Sequence, residues 1–129
     1  MTNKYDNYVD GQWLPAQTYL DNTSPSDFSD VIGSYAQASI ADTENAIAAA
    51  KTAFDSWSLS SLEVRKTILD KIGNELIERS AEIGTILARE EGKTIPEGTG
   101  EVYRAGQFFQ YYGAETLRQM GELADSVRP

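Results

Sequence analysis

The stretch EEGKTIPEGTGEVYRAG, from Glu90 to Gly106, contains the residue types that could hold a nucleotide. Gly-Lys-Thr at 92–94 matches the tail of a phosphate-binding loop, and Gly-Thr-Gly at 98–100 could open a dinucleotide fingerprint. A phosphate loop needs an earlier glycine so that backbone amides can wrap the phosphates. That position, five residues before Gly92, is Leu87. The third glycine of a dinucleotide fingerprint falls on Tyr103, and neither motif follows a strand-like segment. Helix punctuation explains the stretch better. Gly92 reads as a helix C-cap. Thr94 and Glu97 read as a capping box around Pro96, and Lys93 as a solvated charge between two helix ends.

Other reactive groups are scarce. The 129 residues contain no cysteine and no histidine, so the chain lacks a thiolate nucleophile, the usual neutral-pH base and the commonest metal ligand. The serines therefore have no partner to activate them. Glu90 and Glu91 point to different helix faces, and Asp27 and Asp30 lie in a turn without the further ligands of a calcium loop. No catalytic, cofactor-binding or metal-binding residue is assigned. The net charge of −9 without a basic cluster argues against nucleic acid. No apolar run approaches a membrane span, and no signal-peptide core follows Lys4. A reducing cytoplasm is the expected location.

The exception is Arg104, close to the apolar stripe of a helical segment. Such arginines generally snorkel to water or pair with a carboxylate, here Glu101, and that reading ranks ahead of a ligand role.

Four helices are expected to position these residues, over about 42–57, 60–79, 81–91 and 96–120. The first starts at Asp42 and buries Ala46, Ala50, Ala53 and Trp57, with Ile47 and Phe54 beside them. The second opens on a Ser60–Glu63 capping box and buries Leu62, Leu69, Ile72 and Leu76. Ser80 caps the third. The fourth buries Val102, Ala105, Phe109, Tyr112 and Thr116, with most of its aromatics in the core, and Gly121 follows it as a left-handed residue. Before them comes a β-hairpin around Asp10-Gly11, flanked by Tyr8-Val9 and Gln12-Trp13-Leu14. Strands at 19–23 and 31–36 are separated by turn residues 24–30.

The order of these parts resembles the N-terminal region of the aldehyde dehydrogenase superfamily. YVDGQW is similar to that family's entry hairpin and NTSPSDFSDVIG to its N-P-x-x-G-x-V-I-G turn. AIAAAKTAFDSW resembles its alanine-rich helix, REEGKT its E-x-G-K turn, and GEVYRAGQFFQYYGAE its long tyrosine-bearing helix. Ser24 replaces the usual asparagine before proline, and Gly113-Ala114 inverts the usual order. The resemblance runs from about Tyr8 to Gly121 and is strongest to enzymes of acidic semialdehydes, the α-ketoglutarate and succinate semialdehyde dehydrogenases.

It implies an α/β family fold of which this chain, mostly α, is the N-terminal part: residues 1–129 would belong to the cofactor-binding domain, without a complete catalytic domain. The family oxidises aldehydes with NAD or NADP through a cysteine thiohemiacetal. The catalytic cysteine and the glycine-rich nucleotide turn lie downstream in the family, so this chain is expected to be inactive alone and to bind no cofactor itself. Its partner would be the remainder of the parent chain, within a homo-oligomer. The resemblance also places Arg104 on a tunnel-facing position of the fourth helix, where its planar fork suits a substrate's distal carboxylate. The alternative is a non-enzymatic helical interaction module, complete at this length.

Overall fold

The computed structural model describes residues 3–118 and Gly121. Strands β1 (Lys4–Tyr5), β2 (Asn7–Val9), β3 (Gln12–Leu14), β4 (Thr18–Ser24) and β5 (Asp27–Gln37) precede helices α1 (Ile40–Trp57), α2 (Leu62–Glu78), α3 (Ser80–Glu91) and α4 (Ile95–Glu115). This is the expected arrangement, four helices behind a hairpin and short strands.

Turn chemistry sets the strands. β2 and β3 pair antiparallel around Asp10 (φ 51°) and Gly11 (φ 76°), the left-handed pair a two-residue hairpin needs. The expected turn over 24–30 is shorter in fact. Ser24 pairs with Asp27, leaving only Pro25 and Ser26 in the loop, so Asp27 and Asp30 belong to β5. β5 is the middle strand of the sheet β1-β5-β4, antiparallel to β4 and parallel to β1. Tyr5 of β1 stacks on Tyr35 at 5.0 Å between ring centroids, over Gly33, where a Cβ would meet the Tyr5 ring.

Capping sets the helix starts, in two cases not where expected. The N-cap of α1 is Ser39, whose hydroxyl accepts from the Asp42 amide while the Asp42 carboxylate accepts from the Ser39 amide at 2.8 Å. Asp42 is thus the third helical residue of the box, not the cap. The cap of α2 is Ser61, accepting from the Val64 amide; Ser60 instead donates to the Trp57 carbonyl at 2.7 Å and accepts from Arg65. Ser80 is the first residue of α3, and the capping position is Arg79, which makes no side-chain cap. Its guanidinium bridges Glu75 and Glu82 instead, and those hydrogen bonds raise its pKa. At the other end of α3, Gly92 takes the expected left-handed conformation (φ 73°), and its N–H donates to the Ala88 carbonyl. The described part of α4 ends at Glu115 with Thr116 as C-cap. Gly121 has the expected positive φ, whereas Gln119 and Met120, expected to be helical, lie outside the described residues.

The core lies between α4 and the pair α2 and α3, and it differs from the stripe read in the sequence. Val102 is buried as expected and Ala105 and Thr116 are half-buried, but Phe109 and Tyr112 are exposed, as are Phe108 and Tyr111. The buried positions of α4 are Gly98, Val102, Gly106 and Gly113. A Cβ on Gly106 would lie 2.7 Å from the Gly73 carbonyl oxygen of α2, and a Cβ on Gly73 would lie 2.7 Å from the Gly106 carbonyl oxygen. Gly84 of α3 and Gly98 of α4 make a second such crossing. The helices touch backbone to backbone, so glycine rather than a large apolar residue forms the seam. The expected apolar face of α2 is likewise open: Leu62 and Ile72 are exposed and Leu69 and Leu76 only half-buried. No residue of α1 is buried: Ala46 is half-covered, Ala50 and Ala53 are exposed, and Phe54 and Trp57 lie open to solvent.

Two contacts fasten α3 to the sheet. Arg89 grips Asp30 of β5 with two hydrogen bonds, at 2.6 and 2.8 Å, and Asn22 of β4 donates to Glu90 at 2.5 Å. The Arg89 guanidinium holds the Asp30 carboxyl below its usual pKa.

Candidate functional site

The phosphate-like motif is consumed by helix capping. Thr94 caps α4: its hydroxyl bonds the Glu97 carboxylate at 2.7 Å, and its amide donates to the same oxygen at 3.0 Å. These bonds lower the Glu97 pKa, the side-chain one most. Gly98, Thr99 and Gly100 lie inside α4; the Gly98 amide is bonded to the Thr94 carbonyl and its α-carbon faces Gly84. Lys93 departs from the reading as a solvated charge. Its side chain is only 20% exposed and forms ion pairs with Glu91 and, at 2.6 Å, with Glu101. Its hydrogen bonds to both carboxylates, Glu101 foremost, raise its pKa. The Gly92, Thr94 and Gly98 amides and the Lys93 ammonium, the groups a phosphate would use here, are engaged within the chain.

The Lys93–Glu101 pair changes the standing of Arg104. Glu101 was its expected partner, and Lys93 holds that carboxylate. None of the ion pairs among the described residues includes Arg104. Its guanidinium carbon lies 5.4 Å from the centre of the Phe108 ring, one helical turn on. The pair borders an open hollow of about 300 Å³ lined by Arg104, Gln107, Phe108, Tyr111 and Tyr112. The two tyrosine rings meet edge to face, 5.3 Å apart. The sequence reading put these aromatics in the core. They stand on the opposite side of α4 because the glycines take the inner one. Gln107 was not singled out, and Phe108 was read as lying beside the buried stripe, although their positions three and four residues after Arg104 place them on its face.

The hollow offers one fixed cation, an amide and three aromatic faces. That suits a small ligand with an anionic end and an unsaturated or apolar body. Among the described residues there is no metal-ligating cluster, and no helix is long and apolar enough to cross a membrane.

Comparison with known proteins agrees with the order of elements. The chain is 31% identical over 127 residues to the α-ketoglutaric semialdehyde dehydrogenase of Bacillus subtilis, covering 97% of this chain and 26% of that protein. It is 36% identical over 117 residues to the α-ketoglutarate semialdehyde dehydrogenase of Haloferax volcanii, covering 89% of this chain and 24% of that protein. The chain thus spans about a quarter of the length of the curated relatives it matches. Among solved structures, a variant of 1-pyrroline-5-carboxylate dehydrogenase from Thermus thermophilus superposes with a TM-score of 0.90 at 29% identity, over 98% of this chain and 25% of that one. The sequence profile of the aldehyde dehydrogenase family matches residues 13–128, nearly the whole length, and the chain belongs to that family.

Proposed function

We propose that this chain is the N-terminal part of the cofactor-binding domain of an NAD(P)-dependent aldehyde dehydrogenase, and that Arg104 receives the distal carboxylate of an acidic semialdehyde. The observation that carries the substrate assignment is the state of Arg104: a guanidinium on the open face of α4, without a carboxylate partner among the described residues, beside an aromatic-lined hollow. The names of the two relatives support it, since both specify an aldehyde with a carboxylate at its other end. Arginine suits the task because its fork meets both carboxylate oxygens at once and stays charged at any working pH.

The chemical step is assigned to residues outside this chain. With no cysteine, residues 1–129 alone should not oxidise aldehydes, and turnover above background by that polypeptide would overturn this part of the reading. The chain's own contribution is to hold the substrate's far end and so fix how deep the aldehyde reaches.

The test is Arg104→Leu in the complete polypeptide that the reading frame encodes. A charge-assisted hydrogen-bond pair is worth about 1.5–3 kcal/mol, so KM for succinate semialdehyde should rise roughly 10- to 100-fold. KM for a neutral aldehyde of similar length should stay within about twofold. Equal effects on both substrates would refute the carboxylate role. A complete polypeptide without any aldehyde oxidation would favour the helical interaction module instead.

A further inference from the structure

Arg104 and Phe108 stand one turn apart on α4, the guanidinium 5.4 Å from the ring centre. Phe108 is 53% exposed, so burial alone does not account for its place. Glu101, the carboxylate one turn before Arg104, is bound by Lys93. Gly100, the residue one turn before Arg104 on the same side, has nothing within 4 Å of where its Cβ would be. The guanidinium therefore has open space on its N-terminal side, a ring on its C-terminal side, and no competing anion among the ion pairs described.

An aromatic face holds an arginine differently from a carboxylate. The attraction comes from the ring quadrupole and acts on the flat face of the cation. The N–H donors lie in the guanidinium plane and remain available. A salt bridge would fix the side chain equally well but would occupy the donors a ligand needs.

We propose that Phe108 is a positioning residue: its ring fixes the Arg104 side chain toward the hollow while leaving the donors free for a carboxylate-bearing ligand. This rests on the reading of Arg104 as the carboxylate receptor, and the experiment separates the two. Diverting Lys93 to Glu101 serves the same end, because it keeps the nearest carboxylate away from Arg104.

The test compares wild type, Phe108→Leu, Phe108→Tyr, Arg104→Leu and the Arg104→Leu/Phe108→Leu double variant of the complete polypeptide, with succinate semialdehyde and a neutral aldehyde of equal length. Leucine keeps much of the apolar bulk but has no π face. A cation–π contact at an exposed site corresponds to roughly two- to fivefold in affinity, so Phe108→Leu should raise the ratio of KM for the acidic substrate to KM for the neutral one by that factor. Phe108→Tyr should keep the wild-type value. On the Arg104→Leu background the leucine substitution should have no further effect on the ratio of the two substrates. The inference is overturned if Phe108→Leu alters both substrates equally, if it leaves the ratio unchanged, or if its effect persists without the arginine. A normal response to Arg104→Leu with a silent Phe108→Leu would remove the positioning role and keep the carboxylate role; a silent Arg104→Leu would remove both. Phe108→Met supplies the same comparison should Phe108→Leu fail to fold.

Discussion

One substitution, glycine to alanine, should have opposite effects at two places on the same helix. At Gly106 the added Cβ would stand 2.7 Å from the Gly73 carbonyl oxygen and 2.7 Å from Cγ1 of Ile77. Ordinary contact begins near 3.5 Å, so α2 and α4 must separate by about 1 Å. Overpacking of this kind costs about 1–3 kcal/mol. Alanine's better helix propensity returns about 1 kcal/mol, leaving a net loss of up to about 2 kcal/mol. At Gly100 the Cβ meets nothing within 4 Å, so only the propensity remains and the variant should gain about 1 kcal/mol. Gly84→Ala should exceed Gly106→Ala in cost, because its Cβ would lie 2.5 Å from both N and Cα of Thr99, which are backbone atoms. Urea unfolding of the 129-residue chain, followed by far-ultraviolet circular dichroism, reads these changes at roughly half a molar of urea per kcal/mol. The reasoning fails if Gly106→Ala and Gly100→Ala move the midpoint in the same direction, or if Gly84→Ala is neutral.

Thr94→Ala should destabilise the start of α4 by about 1 kcal/mol, measured in the same unfolding experiment, whereas Lys93→Ala should leave that cap intact. Asp30 has a depressed folded-state pKa because Arg89 stabilises its ionised form. Its contribution is therefore fully present above the unfolded carboxyl pKa, about 4, and is lost as pH falls through the lower folded value. Between pH 6 and pH 3 the wild-type chain should lose more stability than Asp30→Asn, as shown by unfolding midpoints at each pH. Equal losses would count against the clamp.

The parts of this chain governed by local chemistry were legible in its sequence. Asp10-Gly11 dictates its hairpin because few other residue pairs accept two left-handed conformations. Thr94-x-x-Glu97 dictates its cap by reciprocal hydrogen bonds within four residues. Ambiguity arose where two good capping residues compete. Ser39 and Asp42 are three apart and satisfy one box jointly, and Ser60 and Ser61 are neighbours, so the true cap is decided by where the preceding chain arrives. β1 was invisible because two residues carry no period, and its partner β5 lies some thirty residues away. The largest misreading was the inner face of α4. Periodicity counting weighs large apolar side chains, which pointed to Phe109 and Tyr112, whereas helices that touch through their backbones need residues with no side chain at all. That misreading also hid the hollow, since aromatics assigned inward cannot line an outer surface. Arg104 was visible as an oddity, but its freedom depends on Lys93 taking Glu101, eight residues away in the chain, and no local pattern reports that.

None of the 18 residues of helix α1 is buried. An isolated helix of that length is marginal, so its persistence rests on its own hydrogen bonds and the Ser39–Asp42 box rather than on enclosure. In deuterated solvent the amides of α1 should therefore exchange long before those along the Gly73–Gly106 crossing. A protease cutting the chain under native conditions would find its first foothold between the sheet and the three-helix block.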